Sequence, residues 1–387
     1  MKANVYIVKC ANYEKAGEKI EELLALMGGI GQFAKKGEKI TLKANLLAAV
    51  SPDKAVCTHP AIVAAVGAMA KKEGAIPLIA DSPGSGYRYN EAVLKKLYTA
   101  CGMYDAAKKA GIEVNMDTGY DKVSFLQGSL IKQIEVIKPI TEADGVFNLC
   151  KMKTHLFMHM TGAVKNNFGI IPGLSKVGYH AKLHSKDRFA DMLLDLALYV
   201  SPRLSIMDAV LAMEGEGPGS SGTPRHVGLL LASASPLALD VVAGEIMGLP
   251  NEKNPVLIAA ARRGITPFRI EDVNVIGEKL SELRISDYKL PATVEGIGLT
   301  RWDNAIIGKI FRSTLTQYPV VLKENCIGCG ICLDSCPQKT ITIITRQEKK
   351  QAVINSKKCI RCYCCHELCP HKAIEIRRNP ISKILKV

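Results

Sequence analysis

The 387-residue chain has no apolar stretch long enough to cross a bilayer: its longest, from about Gly228 to Pro250, is interrupted by Asp240 and Glu245. It has no leader-like start either, since Met1-Lys2-Ala3-Asn4 runs straight into the strand-like Val5-Tyr6-Ile7-Val8. These absences predict a cytoplasmic protein with no membrane span, in a reducing setting that disfavours disulfides. No Gly-x-Gly-x-x-Gly with a following acidic residue and no P-loop lysine is present, so neither NAD nor ATP is indicated. Tryptophan occurs once, at Trp302, and no basic segment is interleaved with aromatics. A nucleic-acid partner is therefore not expected despite a net charge of +14.

What the chain does have is cysteine in a pattern. Nine of its 13 cysteines lie between Cys326 and Cys369. They form two runs, Cys326-x2-Cys329-x2-Cys332-x3-Cys336-Pro337 and Cys359-x2-Cys362-x2-Cys365-x3-Cys369-Pro370. This is the spacing of a two-cluster bacterial ferredoxin, in which the fourth cysteine of each run ligates the other cluster. One [4Fe-4S] cluster is thus assigned to Cys326, Cys329, Cys332 and Cys369, the second to Cys336, Cys359, Cys362 and Cys365. Three thiolates two residues apart can wrap three corners of a cubane, and Gly328 and Gly330 give the first loop room to turn. Zinc ribbons use paired rather than tripled cysteines, so zinc fits less well. Cys364 falls outside the spacing and is read as a spare thiol. From Val321 to Val387 there are 13 Lys/Arg against 5 Asp/Glu, so +8 of the net charge sits here. Two clusters at −2 each would bring that to about +4. The remaining excess suits an acidic electron-donor protein or an anionic substrate.

Upstream, strand and helix signals alternate. Strands are expected at Val5–Lys9, Lys39–Leu47, Pro77–Ala80, Gly145–Cys150, Leu204–Asp208, Val227–Ala232 and Val273–Ile276. Helices are expected at Ala16–Leu26, Pro60–Lys72, Asn90–Ala110, Asp187–Tyr199, Leu237–Met247 and Pro255–Arg263, and a small antiparallel excursion between Glu113 and Ile137. Such alternation implies an α/β fold, a mainly parallel sheet with helices on both faces, followed by a small C-terminal α+β ferredoxin domain. The expected boundaries are 1–280 for the α/β domain, 281–318 for a connection that docks the ferredoxin unit, and 319–387 for that unit.

Ligands of open α/β sheets bind beyond the carboxyl ends of the strands. The polar residues expected there are Lys43, Asn45, Thr58-His59, the loop Asp81-Ser82-Pro83-Gly84-Ser85-Gly86, Asp208 and the stretch Glu214 to Gly219. The densest chemistry runs from Lys151 to Gly173. Lys151, Lys153, Lys165, Asn166 and Asn167 are the candidate substrate-binding residues, because charges in apolar surroundings need a counter-charge that a carboxylate or phosphate would supply. His155 and Glu214 are the candidate proton donors. His155/His159 and His180/His184 each have helical i, i+4 spacing, which leaves a metal site as an alternative. The Gly217-Pro-Gly-Ser-Ser-Gly222 run reads as a flexible loop or lid.

The runs Asn148 to His155, Thr161 to Gly169 with Pro172-Gly173, Asp208 with Glu214-Gly215, and Ser235 to Asp240 resemble domain of unknown function 362, in which a fused ferredoxin domain is common. The resemblance covers roughly residues 35 to 275 and implies an α/β domain partnered with iron-sulfur clusters. Where an Asp would be expected before Pro236 this chain has Ser235, so no acidic role is expected there. The sequence as a whole points to an iron-sulfur oxidoreductase passing electrons from a soluble partner protein to an anionic small molecule, or to a bound flavin. The alternative is a non-catalytic carrier whose α/β domain docks on a larger redox enzyme.

Overall fold

The computed structural model describes residues 2–294, 317–346 and 348–377. Most of the expected connection, Trp302 included, lies outside them. Up to Gly277 the strands are β1 (Ala3–Lys9), β2 (Lys39–Lys43), β3 (Ile76–Ala80), β4 (Glu113–Val114), β5 (Tyr120–Ser124), β6 (Gln133–Ile137), β7 (Gly145–His155), β8 (His159–Thr161), β9 (Leu204–Gly215), β10 (Gly222–Ser233) and β11 (Val273–Gly277). Nine of them form one sheet in the order β11-β1-β10-β9-β7-β2-β3-β4, with β8 paired to β7. Neighbours are parallel except where β10 meets β1 and β9 and where β8 folds back on β7. β5 and β6 make the expected antiparallel excursion, while β4 joins the main sheet.

Side-chain alternation divides the core into two layers. Ile40, Leu42, Phe147 and Leu149 face the helices Ala16–Ala25, Pro60–Lys72 and Glu91–Ala100 through Leu23, Val63 and Leu94. Val146, Cys150 and Met207 face the helices Lys186–Val200 and Pro236–Met247 through Phe189, Leu193 and Val241. Helix ends follow local chemistry. Pro60 occupies the first turn behind His59, whose Nδ1 accepts from Ala61 N–H. The helix expected over Asn90–Ala110 is two helices, because Gly102 takes φ 70° between Glu91–Ala100 and Met103–Ala110. Ser235 caps the helix Pro236–Met247, its Oγ accepting from Ala238 N–H, so serine performs there the capping that an aspartate would.

β7 and β9 run well past their expected ends. All 11 residues of β7 are buried, including Lys151 and Lys153. The lysines stay in the strand because their amines are satisfied inside, Lys151 by Asp208 at 2.8 Å and Lys153 by Asn45 Oδ1 and Val56 O at 2.7 Å each.

The C-terminal unit pairs β12 (Tyr318–Val321) with β15 (Ile374–Arg377) and β13 (Ile341–Arg346) with β14 (Lys349–Ile354), both antiparallel. Two single-turn helices, Ile331–Asp334 and Cys364–Glu367, lie between them. Among the described residues the unit meets the α/β domain at several places. The β9–β10 tip touches it closely: Ser220 Oγ donates to Cys369 O at 2.5 Å, and a Cβ on Gly219 would lie 1.8 Å from Glu367 O. Leu368 sits against the Asp81–Gly86 loop, where a Cβ on Gly86 would come within 2.6 Å of it. The glycine run expected to act as a lid is thus a docking surface for the ferredoxin unit.

Candidate functional site

The two cysteine quartets surround two separate cavities. Cys326, Cys329, Cys332 and Cys369 line one of about 350 Å³, and Cys336, Cys359, Cys362 and Cys365 line another of about 330 Å³. Each therefore draws its fourth thiol from the other run. Backbone N–H groups already point at sulfur: Ala352 at Cys326, Thr340 at Cys336 and Ala373 at Cys369, all at 3.3 Å. A lone tetrahedral ion needs four sulfurs at about 2.3 Å, and among the described residues no three His, Cys, Asp or Glu side chains converge on one ion. The donor set and the spaces fit cubane clusters. Gly328 and Gly330 take φ 66° and 84°, and Arg361 and Tyr363 occupy the same left-handed region at the matching places of the second run. Cys364 lines neither cavity.

A third cavity, a cleft of about 440 Å³, opens where the carboxyl ends of β2 and β3 meet the segment from Thr161 to His180. Glu367 of the ferredoxin unit completes its wall. Lys43, at the last position of β2, is fully buried and bound to Asp81 Oδ1 at 2.7 Å. Asp81 Oδ2 also accepts from Leu46 N–H, so the pair is well held. Gly169 passes so close that a Cβ there would lie 2.0 Å from Asp81 Oδ1. Lys176, 3% exposed, donates to Ser82 Oγ and to the carbonyls of Ser82, Pro83 and Ile171 with no carboxylate in contact. Burial lowers its pKa to about 7, Asp81 opposing and Lys43 adding to the fall. Lys165 makes no hydrogen bond or ion pair among the described residues; burial lowers its pKa, with Glu367 and Cys364 opposing.

Other polar atoms on this wall are also unpaired. Thr161 Oγ1 and His180 Nδ1 are buried without a partner among the described residues. His180 stacks on Phe189, and burial followed by Lys165 lowers its pKa to about 3. Beside the cleft, His155 Nδ1 accepts N–H groups of Phe157 and Met158, which leaves its proton on Nε2. That Nε2, itself without a hydrogen-bond partner, faces Glu367 Oε2 at 3.8 Å. Burial first, then Lys165, holds the His155 pKa well below the usual value, so the ring is a neutral donor at pH 7.

The structure brings some of the expected residues together and scatters others. Lys165 and Asn166 line the cleft. Lys153 joins it through a relay: its amine donates to Asn45, Asn45 to Asn166 at 3.1 Å, and Asn166 to Asn148 at 2.7 Å. Lys151 is committed to Asp208 and Tyr13, with no place on the cleft wall. Asn167 donates to the carbonyls of Ala163 and Val164 and braces its own helical turn. Glu214 accepts from Lys289 N–H and lies 3.8 Å from Arg225, also off the cleft wall. His155 and His159 face each other across the β7–β8 pairing, and of His180 and His184 only the first is buried, so neither pair shares a helix face as spaced ligands would. Sequence reasoning missed Thr161, Lys176 and Glu367 as site residues, and it singled out His180 only as half of an i, i+4 pair with His184. The buried Asp240 was also missed; it holds Ala163 and Val164 N–H, and burial raises its pKa to about 7.

Comparison with known proteins gives five matches. Residues 40–245 match domain of unknown function 362, and residues 325–373 match a 4Fe-4S dicluster domain. The thylakoid-associated protein sll1697 of Synechocystis sp. is 33% identical over 323 residues, 82% of this chain and 95% of that protein. Among solved structures, a lactate racemase apoprotein from Thermoanaerobacterium thermosaccharolyticum aligns with TM-score 0.41 and 11% identity over 64% of this chain and 58% of its own. A Thermotoga maritima protein aligns with TM-score 0.33 and 14% identity over 56% and 55%, so the chain spans less than two thirds of either structural neighbour. Among the described residues no helix is long and apolar enough to cross a membrane.

Proposed function

This chain belongs to the family of domain of unknown function 362 and carries a 4Fe-4S dicluster domain built for electron transfer, and from that premise we propose an iron-sulfur oxidoreductase that reduces an anionic small molecule in the cleft. The observation that carries the reading is the shared wall: Glu367, between cluster ligands Cys365 and Cys369, lines the same cleft as Lys165 and Lys176, whose amines make no ion pair among the described residues. The burial of Lys153 and Lys176 supports an internal anion site over a docking face for a larger enzyme, for which exposed lysines would serve.

When bound, the clusters supply electrons one at a time, two per chain. Lys165 and Lys176 bind the anion and neutralise it in a place where water is scarce. Thr161 Oγ1 and His180 Nδ1 take its remaining hydrogen bonds, which relieves two buried polar atoms that otherwise go unpaired. The Lys43–Asp81 pair fixes the strand ends beneath it. His155, held as an Nε2–H donor, orients Glu367 or the substrate. Lys176, with a pKa near neutrality, is the group suited to hand over a proton. A bound flavin as the immediate electron acceptor is a variant of the same scheme.

The test is binding to cluster-loaded protein under nitrogen, followed by calorimetry with inorganic phosphate and with succinate as probes. Tenfold or greater loss of affinity in Lys165→Ala, about 1.4 kcal/mol, is expected. Wild-type protein that binds neither probe, or a Lys165→Ala variant with unchanged affinity, overturns the cleft as an anion site. An absorption spectrum of acid-released small molecules reports flavin separately.

A further inference from the structure

Two cysteines outside the ferredoxin unit lie side by side. Cys57 is in the loop before the helix Pro60–Lys72, and Cys101 closes the helix Glu91–Ala100. Their sulfurs are 3.4 Å apart, both thiols are buried, and both reach Ala48 O at 3.4 Å. Cys10 and Cys150, by contrast, each turn to a backbone carbonyl, Asn12 O and Ile206 O, and neither has a thiol neighbour. A disulfide needs about 2.05 Å between sulfurs, so closure asks for a shift of about 1.4 Å, small for a side chain in a loop.

We propose that Cys57 and Cys101 form a reversible dithiol/disulfide couple that exchanges two electrons with the protein's own iron-sulfur clusters. In the reducing direction the S–S bond breaks as each of two reduced [4Fe-4S] clusters gives up one electron. Two protons are taken up: one forms the Cys101 thiol, and the other resides on Lys153, whose ammonium then faces the Cys57 thiolate. Lys153 is suited to this part because it is 1% exposed and, among the described residues, no carboxylate is within ion-pair distance. Burial lowers its pKa to about 7, and of the groups that oppose the fall Cys57 is the strongest. The converse holds for Cys57, whose pKa is lowered by the Cys101 hydrogen bond against burial, with the Ala48 backbone and then Lys153 lowering it further. Thiolate character in one partner and a protonated second thiol are what disulfide exchange requires. The couple is also joined to the cluster unit by a short structural path: both thiols reach Ala48 O, the adjacent Leu47 O accepts from Gly84 N–H at 3.1 Å, and Gly84 lies against Leu368, the neighbour of the cluster ligand Cys369.

The experiment is a reductive titration of the full-length, cluster-loaded protein with titanium(III) citrate under nitrogen, after mild oxidation with diamide. Wild-type protein is expected to take about four electrons per chain, two into clusters and two into the disulfide. Cys57→Ser should take about two, and Cys10→Ser about four. Peptide mass spectrometry after alkylation in denaturant reads the bond itself: a linked Cys57–Cys101 peptide in the oxidised wild-type protein, lost once the clusters are reduced. This second measurement needs no variant and so stands if Cys57→Ser fails to fold. No linked peptide after oxidation, or a linked peptide that persists when both clusters are reduced, overturns the proposal.

Discussion

An amine buried without a carboxylate gives up its proton unless a ligand supplies the missing charge. Lys176 is in this position, and the consequence is a pH dependence with a definite sign. Its folded pKa of about 7 lies below the unfolded value, so between about pH 7 and 10.5 the unfolded chain holds a proton that the folded chain lacks. Stability therefore rises with pH across that window, by about 1.4 kcal/mol per unit from this group, and Lys176→Met should flatten the rise in chemical denaturation. Anion binding runs the other way, because the cation is what the anion needs. Succinate affinity should fall about thirtyfold between pH 6 and 8.5 in the wild type, and Lys176→Met should weaken binding at pH 6 while removing most of the slope. An unchanged slope would exclude Lys176 from the site.

The elements explain which parts of this site could be read from sequence. The cysteine quartets were read from local information: the spacing groups the thiols, and each group lines one cavity. Lys43, Asn45 and Asp81 were legible because a parallel sheet puts its strand ends together, and Lys165 and Asn166 because they follow one. Lys176 and His180 carried no such signal. Lys176 is buried through Ser82, Pro83 and Ile171, contacts that join irregular segments far apart in the chain. The ends of β7 were misjudged for a related reason, since lysine reads as a strand terminator until Asp208 and Asn45 are known to meet it. Glycines between elements carry their own information. Gly169 lets the turn after Asn167 press against the Lys43–Asp81 pair, where a methyl group would lie 2.5 Å from Lys43 Nζ. Gly169→Ala should cost about 3 kcal/mol or more, the penalty of breaking a buried ion pair, read as a lowered denaturation midpoint. Gly178→Ala nearby, with open space around its Cβ position, should cost far less.

On the scale of the whole molecule, Gly219 marks a very close approach between the α/β domain and the ferredoxin unit. Gly219→Val should push the β9–β10 tip away from Glu367. The expected outcome is a full complement of iron with faster amide exchange over residues 364–369. Unchanged exchange there would mean that the tip does not hold the unit in place. The docking has a further consequence for how the protein matures. The α/β part of the cleft is complete in the first half of the chain, but its last wall residue lies between two cluster ligands near the other end. A newly made chain starved of iron would then lack not only its redox centres but also a finished cleft. Substrate would find a place to bind only in molecules already equipped to react with it.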